Sequence, residues 1–279
     1  MKRTICAALL VALLGATDLL AGTWHKSSGP AQKAATAQNQ LIFVDLWAEW
    51  CGWCHRFEAE VVPSEAFQQA TAKMVLLRLN TEDGGEGTQF AQKYKATRLP
   101  MFLILNPDLT IAGVINGYAP AAQFAAMVNQ AVIRYRTFES TVKQEATLAK
   151  DYPRRVQLAK EFRERQNYAA AESRLKKLTA EKGIPVAFRD EAYLELASIY
   201  LDQNRLTDVV TVVNDFGKVQ KQGEFFERAT LLLFDVYIRQ GNLAKAAEEL
   251  RTFKARFPNS SFIPQVDKIL PNLERELKQ

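Results

Sequence analysis

Two cysteines separated by two residues, Cys51-Gly52-Trp53-Cys54, stand where a strand pattern gives way to a helix pattern. Upstream, Leu41-Ile42-Phe43-Val44-Asp45-Leu46 is an apolar run broken only by Asp45, and downstream Phe57, Glu58 and Val61 follow helical spacing. A pair this close cannot staple a chain of 279 residues, because the entropy that a crosslink removes grows with the loop it closes. The cysteines are there for chemistry, and their setting reads as a redox couple.

Cysteines three apart on the first turn of a helix lie near enough for a disulfide to open and close with little backbone movement. Cys51, at the helix start, meets unpaired backbone amides and the positive end of the dipole, which lowers a thiol pKa from about 8.5. It is the expected attacking thiolate. Cys54, one turn in and less exposed, is the expected resolving thiol.

Asp45 shares a strand face with Phe43 and Trp47, so burial should raise its pKa and let it take and return a thiol proton. A carboxyl at the strand end that hydrogen-bonds nearby backbone is the plainer alternative. Leu99-Pro100 precedes the apolar strand Met101 to Leu105. A cis bond there would make a tight corner and free the backbone of Leu99 for an extended peptide, whereas a trans proline opening a strand is the ordinary case.

The beginning of the chain reads differently. Lys2 and Arg3 precede an apolar run from Ile5 to Leu14, and Ala21 and Gly22 follow, which is the layout of a secretory signal peptide over residues 1–22. An uncleaved anchor is the alternative, although the run is shorter than the roughly 20 residues a span requires. Cleavage removes Cys6 and leaves Cys51 and Cys54 alone. The formal charge of +5 then falls to about +4, a solvated surface that gives no reason to expect nucleic acid.

Gly22 to Ser28 reads as a linker and Ala31 to Gln40 as a helix. Strands are expected at Leu41–Trp47, Met74–Leu79, Met101–Leu105 and Thr110–Ile115, with helices through Val61, from Glu65 to Ala72, from Thr88 to Tyr94 and from Pro120 to about Tyr135. Strands alternating with helices early and a hairpin late imply a mixed sheet covered on both faces. Beyond Thr137 the pattern is helical throughout. Three turns, at Gln166-Asn167, Gln203-Asn204 and Gln240-Gly241, recur at intervals of 37 residues, each after an apolar stripe. This resembles tetratricopeptide-type helix pairs in lengthened form, and a generic helical bundle is the alternative.

Val44-Asp45-Leu46-Trp47-Ala48-Glu49-Trp50-Cys51-Gly52-Trp53-Cys54 resembles the thioredoxin family signature, and the likeness continues through Arg78-Leu79-Asn80, Leu99-Pro100 and Asn116-Gly117. The resemblance implies an α/β thioredoxin fold over residues 23–137, and the repeats place an all-α tetratricopeptide-like domain over residues 138–279. It also implies Cys51 as nucleophile, Cys54 as resolving thiol, Asp45 as proton acceptor and Pro100 as a cis proline at a peptide groove with Leu99, Trp50 and Trp53. In the family the residue at Trp50 mainly packs the site. Trp53 and His55 depart from thioredoxin proper, which has Pro and Lys there, so the redox poise is left open.

Taken together these features predict an exported, periplasmic thiol-disulfide oxidoreductase with no cofactor beyond its own disulfide, and the family resemblance implies the reductase or isomerase direction. Its partners would be protein thiols or disulfides, a membrane electron donor, and a protein docked on the repeats. Only His25 and His55 accompany the cysteines, so no metal site is apparent. Two rivals differ in class. Cys51 to His55 also satisfies the Cys-x-x-Cys-His pattern of covalent haem attachment, with His55 as one axial ligand and His25 or a methionine as the other. Alternatively the repeats are a recruiting scaffold and the redox domain is auxiliary.

Overall fold

The computed structural model describes residues 23–278, so the expected signal peptide and Cys6 lie outside the described residues. The chain forms two compact units that divide between Val132 and Ile133. In the first, five strands run in the order β1-β3-β2-β4-β5, namely Trp24–His25, Met74–Asn80, Leu41–Trp47, Met101–Leu105 and Ile111–Asn116. β1 and β2 are parallel to β3, while β4 is antiparallel to β2 and β5 to β4.

β2 lies at the centre because its apolar residues suit both faces of the sheet. Ile42, Val44 and Leu46 pack with Ala31 and Ala35 of α1 (Ser28–Gln38) and with Phe90 of α4 (Glu86–Lys93). On the other face Phe43 joins Phe57 of α2 (Gly52–Glu60), Phe67 of α3 (Glu65–Thr71), Phe102 of β4 and Phe124 of α5 (Ala121–Lys143). Each of these rings is almost fully buried, a gain of about 1.5–3 kcal/mol apiece. Phe57 lies 4.3 Å from Phe102 between ring centroids, which fixes α2 against the sheet with its first turn beyond the end of β2.

Where the sequence suggests a linker from Gly22 to Ser28, the structure has β1 and, at Ser28, the first residue of α1. Trp24 pairs with Leu76 in register and packs against Phe43 and Phe67. The backbone amide of Ser28 donates to Glu86, so α1 is capped from the first turn of α4. Both partners are distant in sequence, and local composition carries no trace of them. Gly87 is obligatory, since a Cβ there would fall 1.9 Å from the Asn80 carbonyl oxygen. That close approach seats α4 on the end of β3.

The second unit is helical, with α6 (Tyr152–Glu164), α7 (Tyr168–Ala180), α8 (Val186–Asp202), α9 (Leu206–Val219), α10 (Glu224–Arg239), α11 (Leu243–Arg256) and α12 (Ile263–Glu276). Three pairs share one turn geometry. Gln166, Asn204 and Gly241 adopt left-handed φ of 57°, 57° and 69°. The amide after each donates to the carbonyl five residues back, at Phe162, Tyr200 and Tyr237. The expected equal spacing of 37 is therefore corrected: Gln166 to Asn204 is 38 residues and Asn204 to Gly241 is 37. Glutamine misled the alignment because Gln166 takes the left-handed position, whereas Gln203 and Gln240 precede it.

Candidate active site

Cys51 is the N-cap of α2, and its Sγ accepts a 3.2 Å hydrogen bond from the amide of Cys54. The two form a disulfide with their Cα atoms 5.2 Å apart. Cys51 is 3% exposed and Cys54 fully buried. Ala48, Trp47 and Leu99 pack around them.

The Leu99-Pro100 peptide bond is cis. The carbonyl of Pro100 accepts from the amide of Gly117, whose φ of +80° lets the chain turn there, so the Asn116-Gly117 corner closes on this proline. The structure thus brings Leu99 to the cysteines.

Asp45 is 1% exposed on the face of β2 that also carries Phe43. Burial pushes its pKa from 3.8 to about 7, against the pull of the Arg78 guanidinium and with a smaller upward push from Glu58. Arg78 stands opposite Asp45 in register across β2 and β3, with Nε 3.2 Å from Oδ2. The contact has ion-pair distance without hydrogen-bond alignment, and Asp45 Oδ1 meets no donor among the described residues. The same guanidinium gives its two terminal nitrogens to Glu58 of α2 and lies over Trp47, 4.5 Å from the ring centroid.

The two flanking tryptophans are on the surface. Trp50 is 67% exposed with its indole N–H donating to Glu82, so it does not pack the site as the family resemblance implies. The loop of Glu82 explains this: Thr81 is anchored to the Trp47 carbonyl, and Asp83 accepts the amides of Gly85, Gly87 and Thr88. Trp53 is 55% exposed and stacks on Tyr118 at 5.2 Å, with Arg56 over both rings.

Sequence reasoning missed Arg78 and Glu58 as site residues, and it missed Tyr118. The first was open to detection, because aligning β2 with β3 sets Arg78 against Asp45. A haem fits this geometry poorly. Both sulfurs are enclosed, and His55 Nε2 is already 2.7 Å from the Glu49 carbonyl oxygen. Among the described residues no group of three or more His, Cys, Asp or Glu is placed to hold a metal ion.

A central β2 carrying a buried carboxyl, a helix-capping Cys-x-x-Cys disulfide and a cis Leu99-Pro100 bond whose leucine packs on the cysteines define a thioredoxin-fold domain. Residues 29–132 match the family model described as a thioredoxin-like domain, and this stretch of the chain is such a domain. Curated relatives include the thiol:disulfide interchange protein DsbD of Actinobacillus pleuropneumoniae, 29% identical over 103 residues, which are 36% of this chain and 18% of that protein. The thioredoxin of Mycoplasma pneumoniae is 28% identical over 94 residues, covering 34% of this chain and 85% of that one. Similar solved structures include a thioredoxin from Thermus thermophilus at TM-score 0.38 and 21% identity, covering 41% of this chain and 90% of the other. The match to DsbD therefore spans under a fifth of that relative's length.

Proposed function

We propose that this protein is an exported thiol-disulfide oxidoreductase that works in the reducing or isomerising direction on protein disulfides. The observation that carries the reading is the Cys51-Cys54 pair at the start of α2, with Asp45 buried and underprovided with donors on the α2 face of the sheet. The thiol:disulfide interchange proteins among its relatives support the same chemistry.

In the reduced protein, the Cys51 thiolate attacks one sulfur of a substrate disulfide held along Leu99 and the Trp50 and Trp53 surface. A mixed disulfide forms and the first substrate thiolate leaves. Cys54 passes its proton to the Asp45 carboxylate and attacks Cys51 Sγ, forming the protein disulfide and releasing the second substrate thiolate. Asp45 then returns the proton to solvent. A substrate disulfide has been reduced to two thiols and the protein dithiol oxidised, so a dithiol donor is needed for the next turn. The three helix pairs of the second unit, which we assign to a tetratricopeptide-like partner-binding domain, favour recruitment of a protein partner.

Two measurements test this. Insulin reduction should fall to background in C51S, and equilibration with glutathione should give a reducing potential. Full activity in C51S would refute the mechanism, and a strongly oxidising potential would reverse its direction.

A further inference from the structure

If thiol exchange is the activity, the site contains a device that sets the basicity of its buried carboxyl. We infer that Arg78 is a positioning residue shared by two carboxylates, and that Glu58, at the exposed edge of α2, governs how much of the guanidinium charge reaches Asp45.

The geometry divides the cation unequally. Its two terminal nitrogens fork onto Glu58, and only Nε faces Asp45, off the line of a hydrogen bond. Trp47 beneath the guanidinium plane holds it in that turned position. Fork-to-carboxylate pairing is the strongest geometry open to arginine, so Glu58 outcompetes Asp45 for it. The surroundings offer Asp45 little else. Its partner on β4 is Phe102, and the other charged groups nearby, Glu49 after β2 with His55 on α2 and Lys26 beside β1, act on Arg78 or Glu58.

The arrangement has a functional logic. A carboxyl paired directly with arginine would be too weak a base for a thiol, and one with no cation nearby would stay protonated. Splitting Arg78 keeps Asp45 between these limits, close to neutral pH, where a general base is most effective. Because the Glu58 side chain is 50% exposed, it can be replaced without opening the core.

Two readouts on the full-length protein test the inference. Carbon-13 NMR of the Asp45 carboxyl gives its titration midpoint in the oxidised protein directly. Stopped-flow release of thionitrobenzoate from a Cys51 adduct gives the pH profile of the Cys54 step. In E58Q the guanidinium is free to turn to Asp45, and both midpoints should fall by roughly one unit, the low end of what a close opposite charge exerts. In R78M both should rise. Opposite shifts support the shared cation; an E58Q midpoint that stays or rises overturns it, whether or not R78M folds. Should the parent adduct release no thionitrobenzoate, the exchange reading fails, while the NMR midpoints still decide the role of Glu58.

Discussion

Asp45 and Arg78 face each other in register across β2 and β3, yet the guanidinium 3.2 Å away leaves the carboxyl short of a hydrogen-bond donor. The uncompensated burial has a stability consequence of definite sign. Because the folded-state value is about 7 against 3.8, the protonated form is favoured by the fold. Its stabilising contribution is complete below about pH 4 and is lost as pH rises through 7. D45N should escape that loss. Denaturant unfolding at pH 4 and pH 8 should show the variant gaining on the parent by up to roughly 4 kcal/mol, at 1.36 kcal/mol per unit. A gap that does not change with pH would mean Asp45 is ionised throughout.

C54S should separate attack from resolution. With Cys51 intact it should accumulate mixed disulfides with protein substrates, visible as thiol-sensitive adducts on non-reducing gels, because the second sulfur is missing. Turnover should drop to a few per cent or less. Absence of adducts would argue against Cys51 as the attacking group.

W50A and W53A should leave unfolding unchanged within about 0.5 kcal/mol, as expected for exposed side chains. Their effect should appear as a raised KM for a folded protein disulfide with little change toward a small aromatic disulfide. Equal losses on both substrates would place the tryptophans in the chemistry instead.

F57A removes the ring that ties α2 to the sheet, and cavity formation should cost about 3–5 kcal/mol in thermal or denaturant unfolding. G87A should be of similar severity for a different reason, since the added methyl meets backbone that cannot turn aside. A G87A protein with the parental melting temperature would show that α4 can slide on β3.

Much of this architecture was legible before the structure. β2 and β4 match their expected bounds because β4 is a continuous apolar run and β2 is one broken only by Asp45. The cysteines mark their own helix start, and the odd carboxyl in β2 stands out against its neighbours. The sequence is silent where partners are far apart: Trp24 on Phe43, Ser28 on Glu86, Arg78 on Glu58. These are choices of register and tertiary contact, to which local periodicity is blind. Among the helix pairs, the one-residue difference in spacing was hidden because glutamines near each turn gave a false alignment.

The two residues of β1 also decide how the sheet meets other chains. They cover the outer flank of β3, at Leu76 and Leu77, and are themselves too few to template a further strand. Trimming the chain through residue 27 would bare the apolar flank of β3, and the shortened protein should self-associate at lower concentrations than the parent.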